Sequence, residues 1–501
     1  MRSRSSVEPR ADGNPEASRA DSSKGPWDEV ITLGFDGGGI RGYWSLLVLQ
    51  SLMLKIKKVE QETDKSTLSS FHPEARPDVI SQRRDGQFMA FLPCHYFDLI
   101  GGTSTGALIA ILLSQFRMTV EDCLDEYKKM GTSIFGHPRR LHAANWPFTE
   151  KTKFSTKLLT EAFEAVIRRR MVATADISSP ATAKFQTDTD TCRGFVLSME
   201  DEVSAKIHTI RSYGPNDKYE PQAPGSWTIL AAAKAATAAP FYFARFTTRL
   251  TPGQDERAAR IATNRRKSTF FTKFRKQHRP EGREIHLIDA GFGSDNNPCR
   301  EIRREVGKQY PGSRPIIVSI GTARPVPPKN KKPWMIPMIK RFLGTLGNPE
   351  AWHNFLQLEE EHGSFSYHRL NLPGGLEMEM DEWRPKRDGY DTIAKMDDAF
   401  VTWVGSDDAQ RELQKLAEKL VRVRRERAAA DGDKWARYAL GRYYVCEHNG
   451  CSMHQQQYQC ADRSEFESHL RNHYSGDENI KFIAREAQRE WAYQHAPGES
   501  A

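Results

Sequence analysis

Apolar residues along the chain gather in short runs that end in small or polar turns and resume as longer apolar stretches, the pattern of buried strands alternating with helices. Two segments show it without a spacer. Val30–Phe35 reads as a strand that passes through Asp36-Gly37-Gly38-Gly39-Ile40-Arg41-Gly42 into a helix over Tyr43–Leu54. Tyr96–Leu113 reads as a short strand, a glycine-flanked serine and an apolar helix. Further strands are expected at Phe195–Ser198, Ile207–Ile210, Ile285–Ile288, Ile316–Ile320 and Tyr367–Leu372. Helices are expected over Val120–Met130, Lys153–Arg168, Trp227–Ala239 and Asp391–Arg427. The alternation is that of an α/β protein, in which ligands bind beyond the carboxyl ends of the strands.

The turns at those strand ends carry the candidate chemistry. Gly102-Thr103-Ser104-Thr105-Gly106 has the form of a nucleophile elbow, a strained turn in which flanking side chains would collide and glycine removes the collision. It would set the Ser104 hydroxyl at the N-terminus of the following helix, whose amides favour a developing oxyanion. The plainer alternative is a helix N-cap with no chemistry. Gly37-x-Gly39-x-x-Gly42 matches the spacing of a dinucleotide-binding loop. That fingerprint needs an acidic residue at the end of a second strand about 20 positions on, and Lys57–Lys65 is a polar run with no strand in it. The remaining readings are a tight turn or a loop that aims backbone amides at an oxyanion. Arg41 opposes the dipole of the helix it opens, so a carboxylate or carbonyl is expected to hold it. The strand Ile285–Ile288 ends in Asp289-Ala290-Gly291.

Composition narrows the class. The 501 residues are 38% apolar, with a mean hydropathy of −0.65, and no apolar run reaches the roughly 18 residues a membrane span needs. The first 27 residues are polar, lack the apolar centre of a secretory signal and read as a disordered tail. Seven cysteines, odd in number and mostly scattered, suit reduced thiols. A net charge of +8 permits anionic partners without choosing among them. Arg257–Arg283 mixes cations with Phe270, Phe271 and Phe274, either a solvated loop or a membrane-facing segment.

With D-G-G-G-I-R-G at Asp36–Gly42, G-T-S-T-G at Gly102–Gly106 and D-A-G at Asp289–Gly291, in that order, the chain resembles the patatin-like phospholipases from Ile31 to about Val306, and among them the fungal intracellular members. The resemblance implies a three-layer α/β/α domain with a mostly parallel central sheet. It implies Ser104 as nucleophile, Asp289 as base and then acid, and the amides of Gly37, Gly38 and Gly39 as oxyanion hole. Arg41, Gly42, Gly102, Gly106, Ala290 and Gly291 would support these motifs. Catalysis would need no cofactor and no calcium. The family's third motif more often has glycine where Ala290 stands, which would cost about 1 kcal/mol or more if that position required a positive φ. A carboxylate with an ordinary pKa is a poor base for serine, so Asp289 is expected to be desolvated. His95 and His286 are expected to be structural.

The implied substrate is a phospholipid or another acyl-lipid ester, met by a cytoplasmic protein peripheral to membranes or lipid droplets, without a transmembrane segment or a nucleic-acid partner. The expected layout is a tail over 1–27, the acyl hydrolase domain over 28–325, a mixed and helical extension over 326–430 and a small module over 431–501. In that module Cys446, Cys451, His469 and His473 have the ligand types and order of a structural zinc site, with Cys460 as an alternative ligand. The competing reading is a catalytically degenerate lipid-binding or signalling protein that uses the domain as a sensor.

Overall fold

The structure, a computed structural model, describes residues 25–73, 90–140, 152–170, 180–187, 191–201, 205–214, 227–250, 283–293, 295–323, 349–360, 365–448, 450–451, 459–460, 463–486 and 488–490. The polar tail up to residue 24 and the basic stretch 257–282 lie outside the described residues.

Five parallel strands form the body of an eight-stranded sheet, in the order β8 (Ser366–Leu370), β7 (Ile316–Ile320), β1 (Ile31–Phe35), β2 (Leu99–Thr103) and β3 (Arg193–Glu200). Strands β1, β2 and β7 are buried along their whole length, as parallel strands covered on both faces must be. Three antiparallel strands complete the sheet: β4 (Ile207–Arg211) on β3, β6 (Arg283–Asp289) on β3, and β5 (Phe246–Leu250) on β6. A strand has only two edges, and β4 fills one edge of β3 over Phe195–Met199. Both β2, paired over Arg193–Leu197, and β6, paired over Ser198–Glu200, therefore share the other edge. They meet end to end. Thr103 lies opposite Leu197 and Asp289 opposite Ser198, one register position further on.

One face of the sheet, including Leu33, Phe35, Ile100, Val318 and Ile320, packs in a large apolar cluster with α1 (Gly42–Thr63), α2 (Thr105–Ser114), α3 (Val120–Phe135), α4 (Thr156–Arg170) and α5 (Ile229–Ala236). The other face, with Leu99, Phe195 and Ile317, is covered by α6 (Cys299–Gln309) and α7 (Pro349–Glu360). These are the three layers of the expected architecture. Because β8 is an edge strand of the same sheet, the domain does not stop at residue 325, where the sequence reading drew its boundary.

The helix expected over Asp391–Arg427 is two, α8 (Tyr390–Val404) and α9 (Asp407–Ala430). Gly405 ends the first, and the Ser406 hydroxyl caps the second by accepting from Ala409 N at 3.3 Å. Helix α9 packs on α1 and explains why α1 runs through the polar residues after Leu54. Glu60 is buried there by Arg424 at 3.3 Å, Arg425 at 2.6 Å and the Tyr96 hydroxyl at 3.0 Å. Helix α10 (Gly432–Leu440) follows and ends at the left-handed Gly441. It leads into a second sheet of β9 (Arg442–Val445), β10 (Gln459–Cys460) and β11 (Gln488–Glu490), with α11 (Arg463–Leu470) and α12 (Asp477–Glu486).

Candidate active site

Ser104 joins β2 to α2 with φ 56° and ψ −125°, a left-handed conformation that a non-glycine residue holds at a cost of about 1–3 kcal/mol. The turn is forced by its neighbours. A Cβ on Gly102 would lie 2.1 Å from the Gly106 carbonyl oxygen, and one on Gly106 would lie 2.4 Å from the Phe35 carbonyl oxygen in β1. The first glycine thus clears the elbow itself, while the second clears the adjacent strand. Thr103 anchors the turn by donating its hydroxyl to the Asp295 carbonyl at 2.7 Å.

The glycine loop after β1 lies against this serine: a Cβ on Gly37 would stand 2.9 Å from Ser104 Cβ. Its three amides are not equivalent. Gly37 N–H donates to the Asn296 carbonyl at 3.1 Å, and the Asn296 side-chain amide returns a bond to the Gly37 carbonyl at 3.2 Å. The expectation that Gly37 offers an oxyanion donor is therefore corrected, because its hydrogen is already spent on the loop that follows Asp289. The amides of Gly38 and Gly39 have no backbone or side-chain acceptor among the described residues. Gly39 has φ +60°, and a Cβ there would lie 1.9 Å from the Met380 carbonyl oxygen, so only glycine fits.

The loop is held from several sides. Asp36 is paired bidentately with Arg369 of β8 at 2.9 and 2.7 Å, both side chains almost fully buried. Arg41 donates to the Met378 carbonyl at 3.1 Å, the carbonyl partner its position called for. Ile40 N–H donates to the Met380 carbonyl at 2.7 Å, Tyr127 hydroxyl to the Gly39 carbonyl at 2.5 Å and Thr322 hydroxyl to the Gly37 carbonyl at 3.2 Å. Arg369, Asn296, Tyr127, Thr322 and the 378–380 backbone escaped the sequence reading. Each comes from a distant segment, and none sits in a motif of its own.

Asp289 ends β6 and is 1% exposed. One carboxylate oxygen accepts Gly291 N–H at 2.8 Å, capping the short 3-10 turn Ala290–Phe292. Ala290 lies in that right-handed turn and outside the positive-φ residues, so the alanine carries no left-handed strain. Burial pushes the Asp289 carboxyl up from 3.8 to about 7, against the opposing pull of the neighbouring Ser104 hydroxyl and of Gly291 N–H. The two strands that meet end to end along β3 thus bring a strained serine beside a carboxyl that titrates near neutrality.

The histidines lie elsewhere in the network. His95 is buried, with Nδ1 2.7 Å from Ser70 Oγ and Nε2 3.1 Å from the Ala439 carbonyl oxygen, and its pKa is pushed well down by burial and Arg117. His286 Nδ1 lies 2.9 Å from Thr247 Oγ1 on the neighbouring strand. A small apolar cavity opens beside the elbow, between α2, α3, α4 and the segment that follows α5, lined by Thr105, Leu108, Tyr127, Met130, Leu159 and Phe243 among others. Far along the chain, ligating atoms of Cys446, Cys451, His469 and His473 fall within 4.8 Å of one another. No helix among the described residues is long and apolar enough to cross a membrane.

A mostly parallel sheet between helical layers, with a strained serine at a strand–helix elbow and a buried acid at its side, defines a three-layer α/β protein. The chain belongs to the patatin-like phospholipase family, whose model matches residues 33–302. It is 41% identical over 78 residues to phospholipase A I of Arabidopsis thaliana, covering 15% of this chain and 6% of that protein. It is 28% identical over 116 residues to calcium-independent phospholipase A2-gamma of Mus musculus, covering 23% of this chain and 10% of that protein. The similarity thus spans a tenth or less of either relative.

Proposed function

We propose that the protein hydrolyses fatty-acyl esters of phospholipids or related acyl lipids with Ser104 and Asp289 as a catalytic dyad. The observation that carries this reading is the Asp289 carboxyl, raised to about 7 by burial beside the strained Ser104. A base poised near the working pH combines a useful ionised fraction with enough proton affinity to take a serine proton. Ser104 Oγ attacks the ester carbonyl carbon as its proton passes to Asp289. The carbonyl oxygen gains the negative charge and meets the amides of Gly38 and Gly39 and the N-terminus of α2. Collapse expels the alcohol, which takes the proton from Asp289. Water then attacks the acyl-serine with Asp289 again as base, releasing the fatty acid and restoring Ser104.

This sequence of steps uses no cation, in keeping with the relative named as calcium-independent, and we place it on a lipid surface that the protein meets peripherally. The test is fatty-acid release from mixed phospholipid and neutral-lipid vesicles in a calcium chelator, comparing the native protein with Ser104→Ala. Activity that survives the chelator and falls by several orders of magnitude in the variant is expected. A folded native protein that binds the vesicles without releasing fatty acid would overturn the reading and favour a lipid sensor.

A further inference from the structure

We infer that Cys446, Cys451, His469 and His473 form a closed tetrahedral zinc site that staples the C-terminal module. The geometry matches the ion. With Zn–N near 2.0–2.1 Å and Zn–S near 2.3 Å, a tetrahedron has edges of about 3.3 Å between two nitrogens and about 3.6 Å between nitrogen and sulfur. Nε2 of His469 and Nε2 of His473 lie 3.2 Å apart, and Cys451 Sγ lies 3.7 Å from His469 Nε2. All four ligand atoms fall within 4.8 Å of one another.

The secondary structure delivers these atoms from two sides. Cys446 directly follows β9, Cys451 closes the next turn with its N–H on the His448 carbonyl at 3.0 Å, and β10 pairs back onto β9. His469 lies in the last turn of α11, and His473 follows it one helical turn on. Thiolates from a hairpin and imidazoles from a helix thus converge. Two thiolates and two neutral imidazoles also balance the charge of a divalent ion, and four protein ligands leave no open position for substrate.

The module needs such a tie. Among the described residues its buried apolar cluster is Tyr444, Cys446, Cys451, Phe466, Leu470, Ile480 and Ala484, with Tyr474 and Ile483 packed against it, and two of its members are the ligands themselves. A core of that size does not hold a fold by itself without a metal or disulfide staple. Both cysteines are free thiols, which leaves the metal.

The experiment uses the full-length, untagged, reduced protein. Mass-spectrometric metal analysis is expected to find about one zinc per chain, retained in Ser104→Ala and lost in Cys451→Ser and in His469→Ala. Cobalt added to the chelated, reduced protein is expected to give thiolate charge-transfer bands and the intense d–d absorption of a tetrahedral site, which reports ligand type even if the variants misfold. Absence of bound zinc together with absence of thiolate–cobalt bands would overturn the site, as would undiminished zinc in both ligand variants. These readouts do not depend on lipid turnover, so failure of the hydrolase reading leaves them interpretable.

Discussion

Replacing Asp289 by Asn separates what the buried carboxyl does for chemistry from what it costs the fold. The folded-state pKa of about 7 exceeds the ordinary 3.8 by about three units, each of about 1.36 kcal/mol, so ionised Asp289 destabilises the native state by about 4 kcal/mol above pH 7. The sign follows from proton binding. Between about pH 4 and pH 7 the folded protein holds the proton that the unfolded chain has released, so the native protein loses stability across that window as pH rises. Asn keeps the shape and the acceptor for Gly291 N–H but has nothing to ionise. Thermal unfolding of both proteins from pH 4 to pH 8 should therefore show Asp289→Asn equal to the native protein at the acid end and several degrees more stable at pH 8. Taking the difference between the two profiles cancels every other titrating group. On a soluble ester, kcat/KM of the native protein should rise with pH through a midpoint near 7, and the Asn variant should lose several orders of magnitude at all pH values. Parallel stability profiles, or a native rate that is flat from pH 5 to pH 9, would show that Asp289 ionises without cost and would refute the reasoning.

Two further outcomes follow from the site's construction. Ser104→Gly and Ser104→Ala should both be inactive, but the glycine variant should be the more stable by about 1 kcal/mol, because only glycine relieves the left-handed turn; equal melting temperatures would mean the turn stores no strain. Arg369→Met should destabilise the protein by about 3–5 kcal/mol by removing the guanidinium that neutralises buried Asp36, and Asp36→Asn in the same chain should recover part of that loss in chemical denaturation.

Much of this site is legible in local sequence. The elbow and the Asp289 turn each follow from contacts within a few residues: Gly102 must clear Gly106, and the Asp289 carboxylate accepts Gly291 N–H. What only the tertiary structure decided is how these pieces meet. Three apolar strands that end in turns with candidate chemistry suggest one parallel edge, yet β6 runs antiparallel and abuts β2 along β3, which is what sets Asp289 beside Ser104. Strand direction leaves no trace in a buried run of apolar residues, since either direction hides the same side chains. The loss of Gly37 as a donor, the grip of Met380 on Gly39 and the pairing of Asp36 with Arg369, 333 positions away, depend in the same way on distant backbone. The sheet likewise passes residue 325 because β8 returns to its edge after a long excursion. Periodicity and motif spacing are properties of contiguous residues, whereas hydrogen-bond partners and burial are properties of segments that only the folded chain brings together.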